Sequence, residues 1–160
     1  MKLYHGSNIA VSKPEILVSD RRLDFGTGFY LTTSSEQAQN WSELTVKRKG
    51  TGIPTVSIFE FDNQDLSGLK CLKFPRADKD WLRFVTANRK NENIQNDYDL
   101  IIGPVANDRT MPVISLYFAG IYDEDETIKR LLPQMLRDQY VFRTELALQK
   151  LIFVKTVTNE

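Results

Sequence analysis

The sequence predicts one domain of the α+β class, because its short strands and helices do not alternate strictly along the chain. The chain has 160 residues, of which 41% are hydrophobic, and a chain of this length can bury a core of its own. Strict alternation would instead indicate a doubly wound parallel sheet. The sequence shows no internal repeat and no Pro-, Gly- or Ser-rich linker. We therefore expect residues 1–160 to form a single domain.

The first half of the chain predicts strands around one helix with clear end signals. Residues 28–32 (GFYLT) favour a strand because they are rich in aromatic and β-favouring types. Ser34 or Ser35 offers a helix N-cap, and Gly50 offers a stop. The other elements predicted here are a strand over residues 3–5, a polar loop over 18–27 and an alternating, half-buried strand over 55–61.

The second half predicts three helices and several short strands. Pro112 suits the first turn of a helix that ends before Gly120, and Asp123 followed by Glu126 resembles a capping box. The predicted helices cover residues 78–89, 112–119 and 123–136; the predicted strands cover 69–74, 99–103, 140–143 and 151–158, with a short turn or helix from Thr144.

The composition narrows the possible functions. The 21 Lys and Arg residues balance the 21 Asp and Glu residues, which argues against a protein that coats a polyphosphate. Cys71 is the only cysteine and His5 the only histidine, so we expect no internal disulfide and no metal site. The chain has no apolar run approaching 18 residues, which predicts a cytoplasmic protein without a membrane partner.

Two short motifs go beyond this general picture. The first is YHGS, residues 4–7, and the second is FGTGFYLT, residues 25–32. A lone histidine near a strand end is usually structural, and a bare GxG is weak evidence for a ligand. The GxG here precedes a strand, whereas a Rossmann phosphate loop follows a strand and opens a helix, so that motif does not fit.

Together the HGS and GFY motifs, followed by SSEQAQNW at residues 34–41, resemble the catalytic domain of ADP-ribosyltransferases. The pattern is similar to the branch with a His-Tyr-Glu triad, shared by diphtheria-type toxins and poly-ADP-ribose polymerases. Residues 103–110 and 139–145 extend a resemblance over nearly the whole chain to a bacterial family of domains called DUF3990. The resemblance implies two small packed β-sheets, antiparallel or mixed, with flanking helices and an NAD cleft.

The resemblance carries specific roles onto this chain. His5 matches the histidine that hydrogen-bonds the ribose of NAD, and the backbone of Gly6 matches the group that holds the nicotinamide carboxamide. Tyr30 and Trp41 match the aromatic residues on either side of the nicotinamide ring, so His5 and Tyr30 should line one cleft. Ala38 stands where the family often has a serine. The predicted binding residues further include Ser7, Gly28 and Phe29.

The catalytic glutamate of the family is replaced in this chain. The expected Glu-Tyr-Val-x-Tyr pattern corresponds to residues 139–142, which begin with Gln139. A glutamine can accept a hydrogen bond from the ribose, but it supplies no negative charge to an oxocarbenium-like transition state. We therefore expect either slower catalysis or a carboxylate from elsewhere, with Glu145 and Asp108 as candidates.

Arginines suggest where the pyrophosphate of NAD would bind. Arg109 could grip it through its planar fork, with Asp108 orienting Arg109 or the acceptor. Arg21 and Arg22 lie in the loop before the GxG and offer a second position. The alternative for residues 107–110 is a turn with an Asx hydrogen bond and a surface ion pair.

The leading functional hypothesis is an ADP-ribosyltransferase that consumes NAD without a metal and modifies a macromolecule. Both a protein and a nucleic acid (RNA or DNA) remain open as the acceptor. Family analogy further implies the toxin of a bacterial toxin–antitoxin system, with an antitoxin protein as its partner. The alternatives are an NAD glycohydrolase and a catalytically inactive module that binds NAD or ADP-ribose.

Overall fold

A computed structural model describes residues 1–16, 23–90, 96–107 and 109–158. Within these ranges the protein has seven β-strands and five α-helices. The strands are β1 (Lys2–Ser7), β2 (Phe29–Leu31), β3 (Thr55–Glu60), β4 (Cys71–Lys73), β5 (Leu100–Pro104), β6 (Asp138–Phe142) and β7 (Ile152–Thr158). The helices are α1 (Ser35–Lys49), α2 (Lys79–Arg89), α3 (Met111–Phe118), α4 (Glu124–Leu131) and α5 (Glu145–Leu148).

The strands form two small sheets, which confirms the α+β class. The first sheet is antiparallel, in the order β1-β3-β7, and the second has the order β2-β6-β5-β4. The second sheet is mixed, because β4 runs parallel to β5 while the other pairs are antiparallel. One antiparallel bridge between Tyr4 and Thr32 connects β1 to the chain just after β2.

The helix ends follow their sequence signals. Ser34 caps α1 by accepting a hydrogen bond from the Gln37 amide, and Gly50 ends the helix in the left-handed conformation. The helix predicted over residues 123–136 is shorter than expected, because α4 ends at Leu131 and a 3-10 turn follows. Pro133 explains the difference, since proline lacks the amide hydrogen that an α-helix needs.

Strand β3 corrects another expectation. Its alternating pattern predicted a half-buried strand, yet its first five residues are all buried. As the central strand of its sheet, β3 is covered on both sides. Val56 and Ile58 pack with Ala38 of α1 on one side, and Phe59 packs on the other side in the core between the two sheets.

The second sheet separates two apolar cores. Helices α2, α3 and α4 pack on one side, which we call the helix face. The first sheet packs on the other, which we call the inter-sheet face. Neighbouring side chains of a strand point to opposite faces, so β2 contributes Phe29 and Leu31 to the inter-sheet core and Tyr30 to the helix-face core. Among the described residues, no helix is long and apolar enough to cross a membrane.

Candidate functional site

His5 is held against strand β2 by two contacts. Its ring stacks on the Phe29 ring with the centroids 4.1 Å apart, and Nδ1 lies 2.8 Å from the carbonyl oxygen of Tyr30. Because a carbonyl oxygen only accepts, Nδ1 must carry the proton, and Nε2 of the neutral ring is then an acceptor. No described residue hydrogen-bonds Nε2, which leaves it available to a ligand hydroxyl.

Burial keeps this imidazole neutral at physiological pH. Loss of hydration lowers the pKa of His5 from 6.5 to about 4, although the hydrogen bond to the Tyr30 carbonyl acts in the opposite direction. The side chain is half-buried. His5 is therefore suited to accept a hydrogen bond, and it is poorly suited to act as an acid near neutral pH.

The backbone beside His5 has an unpaired edge. Tyr4 exchanges both of its backbone hydrogen bonds with Thr32, and in an antiparallel ladder alternate residues face the same neighbour. The amide and carbonyl of Gly6 therefore face β2, opposite Tyr30. The strands separate at this point, and no described residue bonds the N–H or C=O of Gly6. We call this space the β1–β2 gap.

Close packing between β1 and α1 behind the gap leaves room only for glycine at position 6. A Cβ atom there would lie 2.0 Å from the carbonyl oxygen of Ala38 in α1. Ala38 is fully buried, so the position where the family often has a serine instead forms a tight helix–strand contact. Trp41 lies one turn further along α1 and is half-buried. Ser7 continues β1 and donates to the side chain of Asn8.

The Tyr30 side chain points away from the gap. Its hydroxyl donates to the carbonyl of Gly26 at 2.7 Å and accepts from the amide of Phe25 at 3.0 Å. Burial and the nearby charge of Asp24 raise its pKa. The structure thus places the rings of His5 and Tyr30 on opposite faces of β2, and they do not line one cleft as expected.

Gln139 lies in a buried polar cluster under the helix face. Its amide nitrogen donates to Asp24 Oδ2 at 3.0 Å and to the Pro104 carbonyl at 3.1 Å. Asp24 also accepts from the Ala106 amide at 2.8 Å and from Arg89 Nε at 2.6 Å. Gln139 is 2% exposed and Asp24 is 3% exposed. We call these five residues the Asp24 cluster; its contacts account for both donors of the Gln139 amide.

The remaining predicted residues lie apart from the gap. Gly28 packs against β6, where a Cβ would lie 2.6 Å from Val141 Cγ1. Glu145 is exposed at the start of α5, and Arg109 is exposed in a turn that Asn107 closes through its side chain. The turn and its Asx hydrogen bond confirm that part of the alternative, while the surface ion pair stays a prediction. Arg21, Arg22 and Asp108 lie outside the described residues.

Asp138 is a carboxylate that the sequence reasoning missed. It opens β6 directly before Gln139, and by strand alternation it faces the same side as Tyr140 and Leu31. Its carboxylate accepts from the Thr32 hydroxyl at 3.2 Å and from the Thr33 amide and hydroxyl at 3.0 and 2.6 Å. The sequence feature that could have identified Asp138 is its position one residue before the expected catalytic glutamate.

A polar cavity of about 540 Å³ adjoins this carboxylate. It lies between the start of α1 and the start of β6, and it is lined by Thr33, Ser34, Ser35, Glu36, Leu136, Arg137 and Asp138. Among the described residues, no group of three or more His, Cys, Asp and Glu side chains could hold a metal ion.

The fold and the gap together define a small α+β domain with an open backbone edge beside a neutral histidine. Residues 1–153 match the family model described as "Protein of unknown function (DUF3990)", and the chain belongs to this family. It has no significant match among curated proteins or among solved structures.

Proposed function

We propose that this protein binds NAD at the β1–β2 gap and transfers ADP-ribose to a macromolecule. The observation that carries the proposal is the unpaired N–H and C=O of Gly6 beside the free Nε2 of His5. A primary carboxamide offers one acceptor and two donors, so nicotinamide can pair with both groups of Gly6. His5 Nε2 can then accept from a ribose hydroxyl.

The chemistry requires the bond between nicotinamide and C1′ of the ribose to break. Nicotinamide leaves with the bonding electron pair, and the acceptor attacks C1′ and loses a proton. Positive charge develops on the ribose in between, as in glycoside hydrolysis, and a carboxylate that approaches it would speed this step. Asp138 is the residue we assign to this role in place of Glu145 and Asp108, because it faces the inter-sheet side and adjoins the polar cavity.

A second candidate function is NAD binding without cleavage. The Asp24 cluster favours it, because the residue at the catalytic position of the resembled family is buried and engaged through its amide nitrogen. If Asp138 does not reach the ribose, the protein would hold NAD or ADP-ribose and signal through a partner. Transfer remains our first proposal because Asp138 supplies a carboxylate on the inter-sheet side, next to the polar cavity.

Turnover of labelled NAD separates these functions. The protein would be incubated with NAD labelled on the adenylate, alone and with protein or nucleic-acid acceptors, while free nicotinamide is measured. Nicotinamide release with label on an acceptor supports transfer, and release with free ADP-ribose supports the glycohydrolase. NAD binding without nicotinamide supports the inactive module. No binding at millimolar NAD would refute the proposal.

Two variants locate the site within the same assay. His5→Leu keeps a side chain against Phe29 but removes the acceptor, so we expect at least tenfold weaker NAD binding. Asp138→Asn removes charge, so we expect slower cleavage with little change in binding. Asp125→Asn is the matched control, because Asp125 lies on α4 with its side chain 80% exposed. Equal losses in all three variants would contradict the assignment.

The toxin role belongs to the same proposal and rests on the family resemblance. Expression of the wild-type chain alone should stop bacterial growth, and co-expression of a neutralising partner protein should restore it. Growth arrest should be relieved by His5→Leu. If neither chain affects growth, the toxin part fails, while the NAD chemistry is still tested by turnover.

A further inference from the structure

Arg143 is a cation held in place by backbone carbonyls. Its Nε donates to the carbonyl of Thr27 at 3.1 Å, and its Nη1 donates to the carbonyls of Asn96 and Tyr98 at 2.7 and 3.3 Å. These three contacts join the GxG loop, the segment before β5 and the end of β6. They fix the plane of the guanidinium, so a ligand would bind it without ordering a flexible side chain.

The charge of Arg143 has no carboxylate partner. No described Asp or Glu lies within ion-pair distance of its guanidinium. The nearby Asp24 is already paired with Arg89, and Asp97 is paired with Lys70. The carboxylate of Asp99, next to Tyr98, accepts from the Lys70 amide and from the Thr144 hydroxyl, so it is engaged elsewhere as well. Burial lowers the pKa of Arg143, while the nearby Tyr30 and Asp97 act in the opposite direction.

The remaining nitrogen of the guanidinium is available to a ligand. Nη2 carries two hydrogens, and no described residue accepts from it. Arg143 is half-buried, so part of its side chain reaches solvent. The neighbouring Gly26 has φ +84°, a conformation that favours glycine, and a Cβ there would lie 3.0 Å from Asn96 Nδ2 and in ordinary contact, at 3.5 Å, with Arg143 Nη2.

We propose that Arg143, held beside the GxG loop by three carbonyls, is the binding site for a phosphate-type oxyanion. A guanidinium with free hydrogens and no carboxylate partner is a group that recognises phosphate oxygens. Arg143 follows Phe142 of β6 and lies beside the helix-face tyrosine, Tyr30, so this site is distinct from the β1–β2 gap. The proposal does not require NAD to be the substrate.

Inorganic pyrophosphate is the probe for this site. Titration calorimetry at low salt should show one bound pyrophosphate per chain, with affinity that falls as salt rises. Arg143→Gln should weaken binding at least tenfold, whereas Arg143→Lys, which keeps the charge, should weaken it less. The matched control is Arg48→Gln, because Arg48 is an exposed arginine in the last turn of α1. This control should bind as wild type does.

The proposal is overturned if Arg143→Gln binds pyrophosphate as wild type does, or if Arg48→Gln loses binding equally. Should Arg143→Gln fail to fold, the ¹⁵Nε signal of Arg143 in the wild-type protein decides, since pyrophosphate must shift it. A second titration, with NAD added to the pyrophosphate-bound protein, identifies the source of the phosphate. Competition between NAD and pyrophosphate would identify the diphosphate of NAD as the anion, and simultaneous binding would identify a separate one. Neither result depends on NAD cleavage.

Discussion

The two sides of strand β2 differ in whether their polar groups are satisfied. On the helix face, the Tyr30 hydroxyl and the Gln139 amide nitrogen are fully engaged inside the fold. At the β1–β2 gap, the backbone of Gly6 and Nε2 of His5 have no partner among the described residues. Because polar groups inside a protein normally find partners, we assign the satisfied side to stability and, in the proposed function, the unsatisfied edge to a ligand.

Gln139→Glu should give the largest effect on the satisfied side. A carboxylate at this position would face Asp24 Oδ2, which lies 3.0 Å from the present amide nitrogen, in a buried setting. We expect a loss of about 3–5 kcal/mol in the free energy of unfolding, because the new carboxylate is either an uncompensated buried charge or must bind a proton. Urea denaturation measures this loss.

The second substitution tests the cause of that loss. Adding Asp24→Asn to Gln139→Glu removes the like-charge contact, so it should recover part of the stability. If Gln139→Glu alone is as stable as wild type, or if it raises NAD turnover, the Asp24 cluster is not the structural unit described above.

The next effect is a pH dependence from His5. The pKa of His5 is about 4 in the folded protein and 6.5 in the unfolded chain, so between these pH values the unfolded chain binds more protons. Stability should therefore be fully present above pH 6.5 and fall as the pH drops towards 4, by on the order of 2–3 kcal/mol. Urea midpoints of wild type and His5→Gln should converge at low pH. A constant difference between them would refute the low pKa.

Gly6→Ala tests the close packing behind the gap. The new Cβ would meet the Ala38 carbonyl oxygen, a backbone atom that cannot move aside alone. We expect a loss of about 1–3 kcal/mol, typical of overpacking, together with loss of NAD binding, because the β1 edge would shift. Lys2→Ala, at the exposed start of the same strand, is the control and should retain both properties. Full NAD affinity in Gly6→Ala would exclude this edge as the binding site.

Tyr30→Phe should have the smallest effect. It removes the hydroxyl that bonds Gly26 and Phe25, so we expect about 1–2 kcal/mol of lost stability and unchanged NAD affinity. Tyr122→Phe is the matched control, since that ring lies under Arg130 on the surface helix α4. A tenfold loss of NAD affinity in Tyr30→Phe, without such a loss in Tyr122→Phe, would show that Tyr30 belongs to the NAD-binding site.

Local signals predicted most of the fold. Ser34, Gly50 and Asp123 mark helix ends through contacts a few residues away, so the sequence could place them. Strand β3 was harder, because its burial on both sides depends on α1 and on the second sheet, which lie far away in sequence. The length of α4 was wrong because the effect of Pro133 was overlooked.

The candidate site was harder to predict than the fold, because it depends on contacts between residues far apart in sequence. The strand predicted over residues 3–5 placed His5 correctly, but β1 extends through Gly6 to Ser7, and its unpaired edge follows from how β1 separates from β2. The bond between Gln139 and Asp24 joins residues 115 positions apart, and no local pattern predicts it. The same holds for Arg143, whose carbonyl partners come from segments 45 to 116 positions away.

The most direct test is ¹⁵N NMR of the imidazole, because His5 is the only histidine in the chain. At pH 7 we expect a neutral ring with the proton on Nδ1 and an unprotonated Nε2. Added NAD should shift the Nε2 signal upfield as a ribose hydroxyl donates to it. An Nε2 signal that stays unchanged at millimolar NAD, while NAD still binds, would contradict a ligand site at the β1–β2 gap.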